Sequence, residues 1–177
     1  LARGRLSDGV ERLLEEFETH QNTITEFMMA SKLNLVWSLP RKLKRERSAA
    51  EVWILSPDLG SETEIPQIKL TVGTNLVNGV TYRYIIPSVE RVKARASELL
   101  NSLPDGPIEI RVAPRSVFEF AVETVIYDPG QQRRMGLMVA PTRRPEFDIV
   151  LGAETAERFE SAFKRIWSEG LPVESVP

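Results

Sequence analysis

Apolar positions along this chain follow three rhythms, and each predicts a different kind of element. From residue 10 to residue 28 they recur at helical spacing, with Val10, Leu13, Leu14, Phe17, Ile24, Phe27 and Met28 on one stripe. Asp8 and Glu11 supply an N-cap and its third-position partner, because each satisfies a free backbone N–H of the first turn. Residues 1–37 therefore read as a long amphipathic helix. Val10, Phe17 and Ile24 are seven apart, as are Leu13, His20 and Phe27. A seam that narrow suits a partner helix, so Phe17, Ile24, Phe27 and Met28 are the candidate homodimer interface. The alternative is packing on the chain's own domain. His20, the only histidine, then reads as a buried or interfacial residue and not as a catalytic base.

Past Glu51 the rhythm switches between strand and helix. Val52-Trp-Ile-Leu55 predicts a strand ended by Ser56-Pro57-Asp58. A helix follows with Ile65, Ile68, Leu70, Val72, Leu76 and Val77 as its apolar positions, Pro66 near its start and Asn78-Gly79 as its stop. A second strand runs from Thr81 to Ile86 and ends at Pro87; Ser88 then caps a helix carrying Val89, Val92, Ala96, Leu99, Leu100 and Leu103. Pro104-Asp-Gly106 closes that helix and Ile108 to Val112 forms a third strand. Strands alternating with helices predict an α/β fold with a mixed, mostly parallel sheet and right-handed crossovers. The second half is strand-rich. Phe118 to Tyr127 reads as extended into the Asp128-Pro-Gly130 turn, with Arg134 to Val139 as the returning strand of a hairpin. Phe147 to Leu151 is one more strand, and a last helix buries Ala156, Phe159, Phe163, Ile166 and Trp167 before Gly170. The expected organisation is a helix at 1–37, a basic connector at 38–50, an α/β lobe at 51–170 and a tail at 171–177.

Composition narrows the chemistry. The chain has 177 residues and a mass of 20.0 kDa, 42% hydrophobic and 27% charged, which excludes intrinsic disorder and a disulfide scaffold. It contains no cysteine, which rules out thiol catalysis, thiolate zinc and Fe–S clusters and fits a cytoplasmic location. No apolar run approaches the ~20 residues of a membrane span, and the first residues lack a signal peptide's apolar core. The first residue is Leu and not Met, so the sequence reads as a piece of something longer. Net charge is -2, so contact with nucleic acid must be local. The candidate is the dense basic segment Arg41, Lys42, Lys44, Arg45 and Arg47, whose bland reading is a solvated connector.

The layout resembles the phospholipase D superfamily over about residues 51–170. A strand, then a helix ending in Asn-Leu-Val-Asn-Gly79-Val80, feeds the strand Thr-Tyr-Arg-Tyr-Ile-Ile, as that family's Gly-Val step does. The hairpin with Asp128-Pro-Gly130 resembles the strand carrying its His-x-Lys-x-x-x-x-Asp motif, and Phe163-Lys-Arg-Ile-Trp167 resembles the end of one lobe. If Asp128 takes the motif aspartate position, the histidine position is Ala121 and the lysine position is Glu123. Alanine is no nucleophile, and glutamate repels the phosphate that lysine attracts. The resemblance thus implies a degenerate single lobe without phosphodiesterase chemistry. It also implies pairing across a two-fold axis, and kinship with degenerate lobes of prokaryotic transcription regulators.

Other chemistry finds little footing. No metal-ligand cluster, phosphate-cradling glycine loop or serine elbow occurs, so no catalytic residue, metal or cofactor is expected. A binding site is expected beyond the carboxyl ends of the parallel strands, drawing on Ser56, Asp58, Ser88, Arg115, Glu123 and Asp128. The expected function is a non-catalytic sensor or interaction domain of a prokaryotic regulatory protein, binding a small ligand or protein partner and dimerising. The alternative is a nucleic-acid-binding or -processing module using residues 41–47.

Overall fold

The computed structural model describes residues 35–37, 43–118, 121–139 and 147–173 of the chain. Eight strands form one mixed sheet in the order β1-β7-β6-β5-β2-β3-β4-β8. They are β1 (Leu35–Trp37), β2 (Glu51–Leu55), β3 (Thr81–Pro87), β4 (Ile108–Ala113), β5 (Thr124–Tyr127), β6 (Met135–Val139), β7 (Phe147–Leu151) and β8 (Leu171–Pro172). The helices are α1 (Gly60–Glu64), α2 (Pro66–Val77), α3 (Glu90–Ser102) and α4 (Ala153–Glu169).

The β-α-β-α-β series is present as expected, and the sheet is mixed as expected. Parallel pairing is confined to β2–β3 and β3–β4, a smaller share than the alternation of strands and helices implies. The remaining pairs, β2–β5, β5–β6, β6–β7, β1–β7 and β4–β8, are antiparallel. A two-strand return through a short turn needs no crossover, so the second half meanders outward from β2.

Both crossovers put their helices on the same face. There α2 and α3, with Leu59 just before α1, cover Val52, Ile54, Tyr82, Tyr84, Ile86 and Val125. On the other face α4 lays Phe163 on Trp53, Ile85, Ala113 and Ile126. Helix α2 ends as the sequence predicts. Gly79 takes φ +81°, which glycine adopts without a Cβ penalty, and donates to the Leu76 carbonyl at 3.0 Å.

Several local expectations need correction. Leu35–Trp37 is a strand on β7 and not the end of a helix, and Leu171–Pro172 pairs with β4 instead of trailing as a tail. Both segments are too short to show a period. Residues 118–127 are not one strand: a 3-10 turn spans Arg115–Phe118 and β5 begins only at Thr124. In α2 the inner face is Ile68, Thr71, Val72, Asn75 and Leu76, while Leu70 and Val77 point outward. Ser88 does not cap α3; Val89 occupies the N-cap position, with no side-chain cap bond. The segment read as a solvated connector includes a helical turn at 43–46 whose Glu46 is fully buried.

One carboxylate fastens α4 to the β5–β6 turn. Glu160 Oε2 accepts from the Gly130 N–H at 2.9 Å and from Arg134 Nη1 at 3.3 Å, and Oε1 accepts from Lys164 Nζ at 2.6 Å. Burial alone raises its pKa, but the bonds from Lys164 and Gly130 and the charges of Lys164 and Arg134 outweigh it and hold it below the usual 4.5. A depressed pKa contributes stability above the unfolded-state value that is lost as pH falls through the folded one. Glu160→Gln is therefore expected to destabilise the fold at neutral pH, and the gap to the unmodified chain to narrow on acidification to about pH 3. Urea unfolding at both pH values checks this; a gap that stays constant would show that Glu160 acts by packing alone.

Candidate functional site

The carboxyl ends of β2, β3 and β4, at Leu55, Pro87 and Ala113, lie side by side in the parallel part of the sheet. Open α/β sheets place ligands beyond such ends. Ser56 leaves β2 buried, and its Oγ accepts the Leu59 N–H at 2.9 Å. Leu59 itself takes φ +57°, a left-handed conformation costly for a residue with a branched side chain. Its fully buried side chain and the Ser56 bond hold it there. Asp58 is exposed, with Oδ1 accepting the Gly60 N–H at 2.8 Å and its carbonyl accepting from Arg95 Nη1 at 3.0 Å. Ser56 and Asp58 thus spend these oxygens on the loop that launches α1. Ser88 and Arg115 are both exposed.

Glu123 reaches this end from the antiparallel side, because Thr124 pairs with Leu55. It is buried, and the Ser61 hydroxyl donates into its carboxylate, 2.9 Å from each oxygen. Asp128 does not join the other five. Four residues of β5 carry it to the amino end of β2, where its N–H donates to the Glu51 carbonyl at 2.9 Å. There Asp128 sits at φ +49°, accepts the Ala50 N–H at 2.8 Å and pairs with Arg133 at 3.1 Å. Aspartate tolerates that left-handed turn position better than most residues. Its visible work is to build a turn.

The three motif positions therefore part company. Glu123 is drawn to α1 on one face of the sheet. Ala121 lies on the other, where it helps line a cleft of about 280 Å³ with Leu55, Val117, Phe159, Phe163 and Ile166. A polar group beside it, the Thr124 hydroxyl, donates to the Val122 carbonyl at 3.1 Å. The cleft wall is apolar and suits an uncharged, apolar group.

Behind Glu123 the α1 face is acidic. Glu62 is fully buried, and so is Tyr84, whose hydroxyl has no hydrogen-bond partner among the described residues. Burial first, and then the charges of Glu62, Tyr82, Glu46 and Glu123, keep the Tyr84 hydroxyl protonated well above its ordinary pKa. An anionic phosphate meets no welcome on that side.

Other expected residues fall elsewhere. Lys44, Arg45 and Arg47 are exposed around the 43–46 turn, while Arg41 and Lys42 lie outside the described residues. Phe17, Ile24, Phe27 and Met28 also lie outside them. Ser61, Glu62 and Glu46 escaped the sequence expectation. Nothing in a short Gly60–Glu64 helix marks its polar side chains as inward. The cleft walls Phe159, Phe163 and Ile166 were visible as an apolar helix face, but not as a cleft. Among the described residues no group of three side chains can hold a metal ion, and no helix is long and apolar enough to cross a membrane.

No protein-family model and no curated sequence relative matches the chain. Solved structures similar to it include the following two. TrmBL2, an archaeal chromatin protein described with a novel mode of DNA binding, aligns over 93% of this chain and 67% of its own, at 15% identity and a TM-score of 0.48. Nuc from Salmonella typhimurium, a phospholipase D family member, aligns over 73% of this chain and 86% of its own, at 17% identity and a TM-score of 0.47. The likeness to these two proteins is one of architecture.

Proposed function

We propose that this chain is a non-catalytic binding lobe of a prokaryotic regulatory protein, taking an apolar small molecule or an apolar side chain of a partner at the carboxyl end of its sheet. The observation that supports it is the parting of the motif positions. Ala121 faces an apolar cleft, Glu123 is held by Ser61 on the opposite face, and Asp128 builds a turn at the far end. In-line attack on phosphorus needs a nucleophile and an oxyanion stabiliser converging on one atom, and this arrangement disperses them. The same proposal includes a homodimer through Phe17, Ile24, Phe27 and Met28.

The test has two arms. A chromogenic phosphodiester is expected to turn over no faster with the protein than in buffer. Indole or a naphthalene probe is expected to raise the melting temperature, and filling the cleft with Ala162→Leu is expected to abolish that rise. Turnover that disappears in Glu123→Gln would refute the non-catalytic reading. Absence of any shift with apolar probes would refute the cleft.

A second reading rests on one observation. Glu46 anchors the 43–46 turn in the core while Lys44 and Arg45 from the same turn, and Arg47 after it, face solvent. A nucleic-acid contact there would weaken steeply with salt and with replacement of these three residues by alanine. Fluorescence anisotropy with duplex and single-stranded oligonucleotides reads both effects.

A further inference from the structure

Helix α2 is apolar on two sides, and only one of them is covered by the sheet. Its inner side buries Ile68, Val72 and Leu76. Opposite, Pro66, Leu70, Gly73 and Val77 follow one another at spacings of four, three and four residues, which traces a straight seam along a helix. Leu70 is 72% exposed and Val77 71%, and they are two of the three large apolar side chains most open to solvent among the described residues. Beside this seam runs a groove of about 520 Å³, closed on its far side by Leu103 and Pro104.

We propose that this seam is an isologous contact with a second copy of the chain, the two α2 helices crossing antiparallel at Gly73. Three observations favour a second copy over another partner. First, the same surface carries both a projecting side chain, Leu70, and the groove that would receive it. A two-fold axis needs that self-complementarity. Second, Gly73 sits at the middle of the seam and has no side chain to hold the helices apart. A Cβ there would touch the chain's own Pro104 ring at 3.4 Å and Leu103 at 3.7 Å, so Gly73 forms a bare floor between α2 and that wall of the groove. Third, the charge pattern fits. Lys69 is the one charged residue in α2 and has no ion-pair partner among the described residues. It stands near the helix N-terminus, where a cation is disfavoured. Antiparallel pairing about Gly73 sets it four residues from the axis, beside Val77 and Asn78 of the second copy, where the negative end of the α2 dipole attracts a cation. No like charges face each other across the seam. This contact is separate from the stripe at residues 10–28, and its test reads α2 alone.

The absence of cysteine makes the test direct. Thr74→Cys places a thiol on the exposed edge of the seam, and Ser161→Cys places one on α4, on the other face of the sheet. With a short bismaleimide, the full chain carrying Thr74→Cys is expected to give a covalent dimer in high yield and the chain carrying Ser161→Cys only a trace. Adding Leu70→Glu and Val77→Glu to Thr74→Cys is expected to weaken the pairing by about 100-fold and to reduce the covalent dimer to the Ser161→Cys level. Both side chains are exposed, so far-UV circular dichroism should be unchanged; Leu70→Ser with Val77→Thr is the milder pair if it is not. Equal yields from the two thiol positions overturn the proposal. So does a Thr74→Cys dimer whose yield ignores the seam substitutions, since a contact elsewhere would then bring the thiols together.

Discussion

Replacing Phe163 by alanine is expected to cost about 3–5 kcal/mol of stability, the usual range for a buried aromatic ring. The ring is the middle member of a stack. Its centroid is 4.8 Å from that of Trp53 and 5.7 Å from that of Trp167, with interplanar angles of 19° and 16°. The Arg111 guanidinium closes the outer end, 4.5 Å above the Trp167 ring. Phe163 is also the buried contact between α4 and the Trp53, Ile85 and Ile126 face of the sheet. Its loss leaves a void continuous with the cleft beside Ala121, too well supported by β2 and β5 to collapse shut. Urea unfolding should show a lower midpoint at an unchanged slope. Phe159→Ala, at a half-buried position, serves as the graded control and should cost less. A loss below about 1 kcal/mol for Phe163→Ala would mean that α4 does not pack through this ring.

The second large effect belongs to Asn75, whose side chain ties three segments together. Its amide donates to the Glu46 carbonyl at 2.9 Å and to the Tyr82 hydroxyl at 2.8 Å, and Tyr82 in turn donates to Glu46 Oε2 at 3.3 Å. All three groups are buried. Asn75→Ala strips donors from buried acceptors, which costs about 1–3 kcal/mol. Asn75→Asp is expected to be worse, because a carboxylate cannot donate and adds negative charge beside Glu46. Hydrogen exchange should rise first at residues 43–49, the turn this amide anchors. Uniform protection there in the Asn75→Ala chain would show that the turn is held by other contacts.

The central β-α-β-α-β series could be read from the sequence because its boundaries are chemical. Pro57, Asn78-Gly79, Pro87 and Pro104-Asp-Gly106 each stop an element for a reason that tertiary structure does not override. Where no such stop exists the reading slipped. Phe118–Tyr127 alternates like a strand, yet Phe118 closes a 3-10 turn and the strand begins only at Thr124. Leu70 and Val77 keep helical spacing with Ile68 and Val72 but lie on the opposite side of α2. A one-dimensional pattern cannot tell a core stripe from a second apolar stripe on the same helix. The site shows the same limit. Spacing set Ala121, Glu123 and Asp128 in one line, but spacing does not say which face a side chain takes. It also does not say that four residues of strand separate Glu123 from Asp128. Ser61, the partner that fixes Glu123, sits 62 residues away in the chain and belongs to no pattern.

The two ends of the sheet carry the least regular strands in the fold. β1 is three residues long and β8 two, and β8 ends on Pro172, which has no N–H to offer a neighbour. Long bare edges invite strand addition by other chains. Here the six-residue β4 and the five-residue β7 are each blunted by a stub too short to template another strand. The Leu171–Pro172 stub therefore acts as a guard against aggregation. Without it, the outer backbone of Arg111 and Val112 would be open to intermolecular β-pairing.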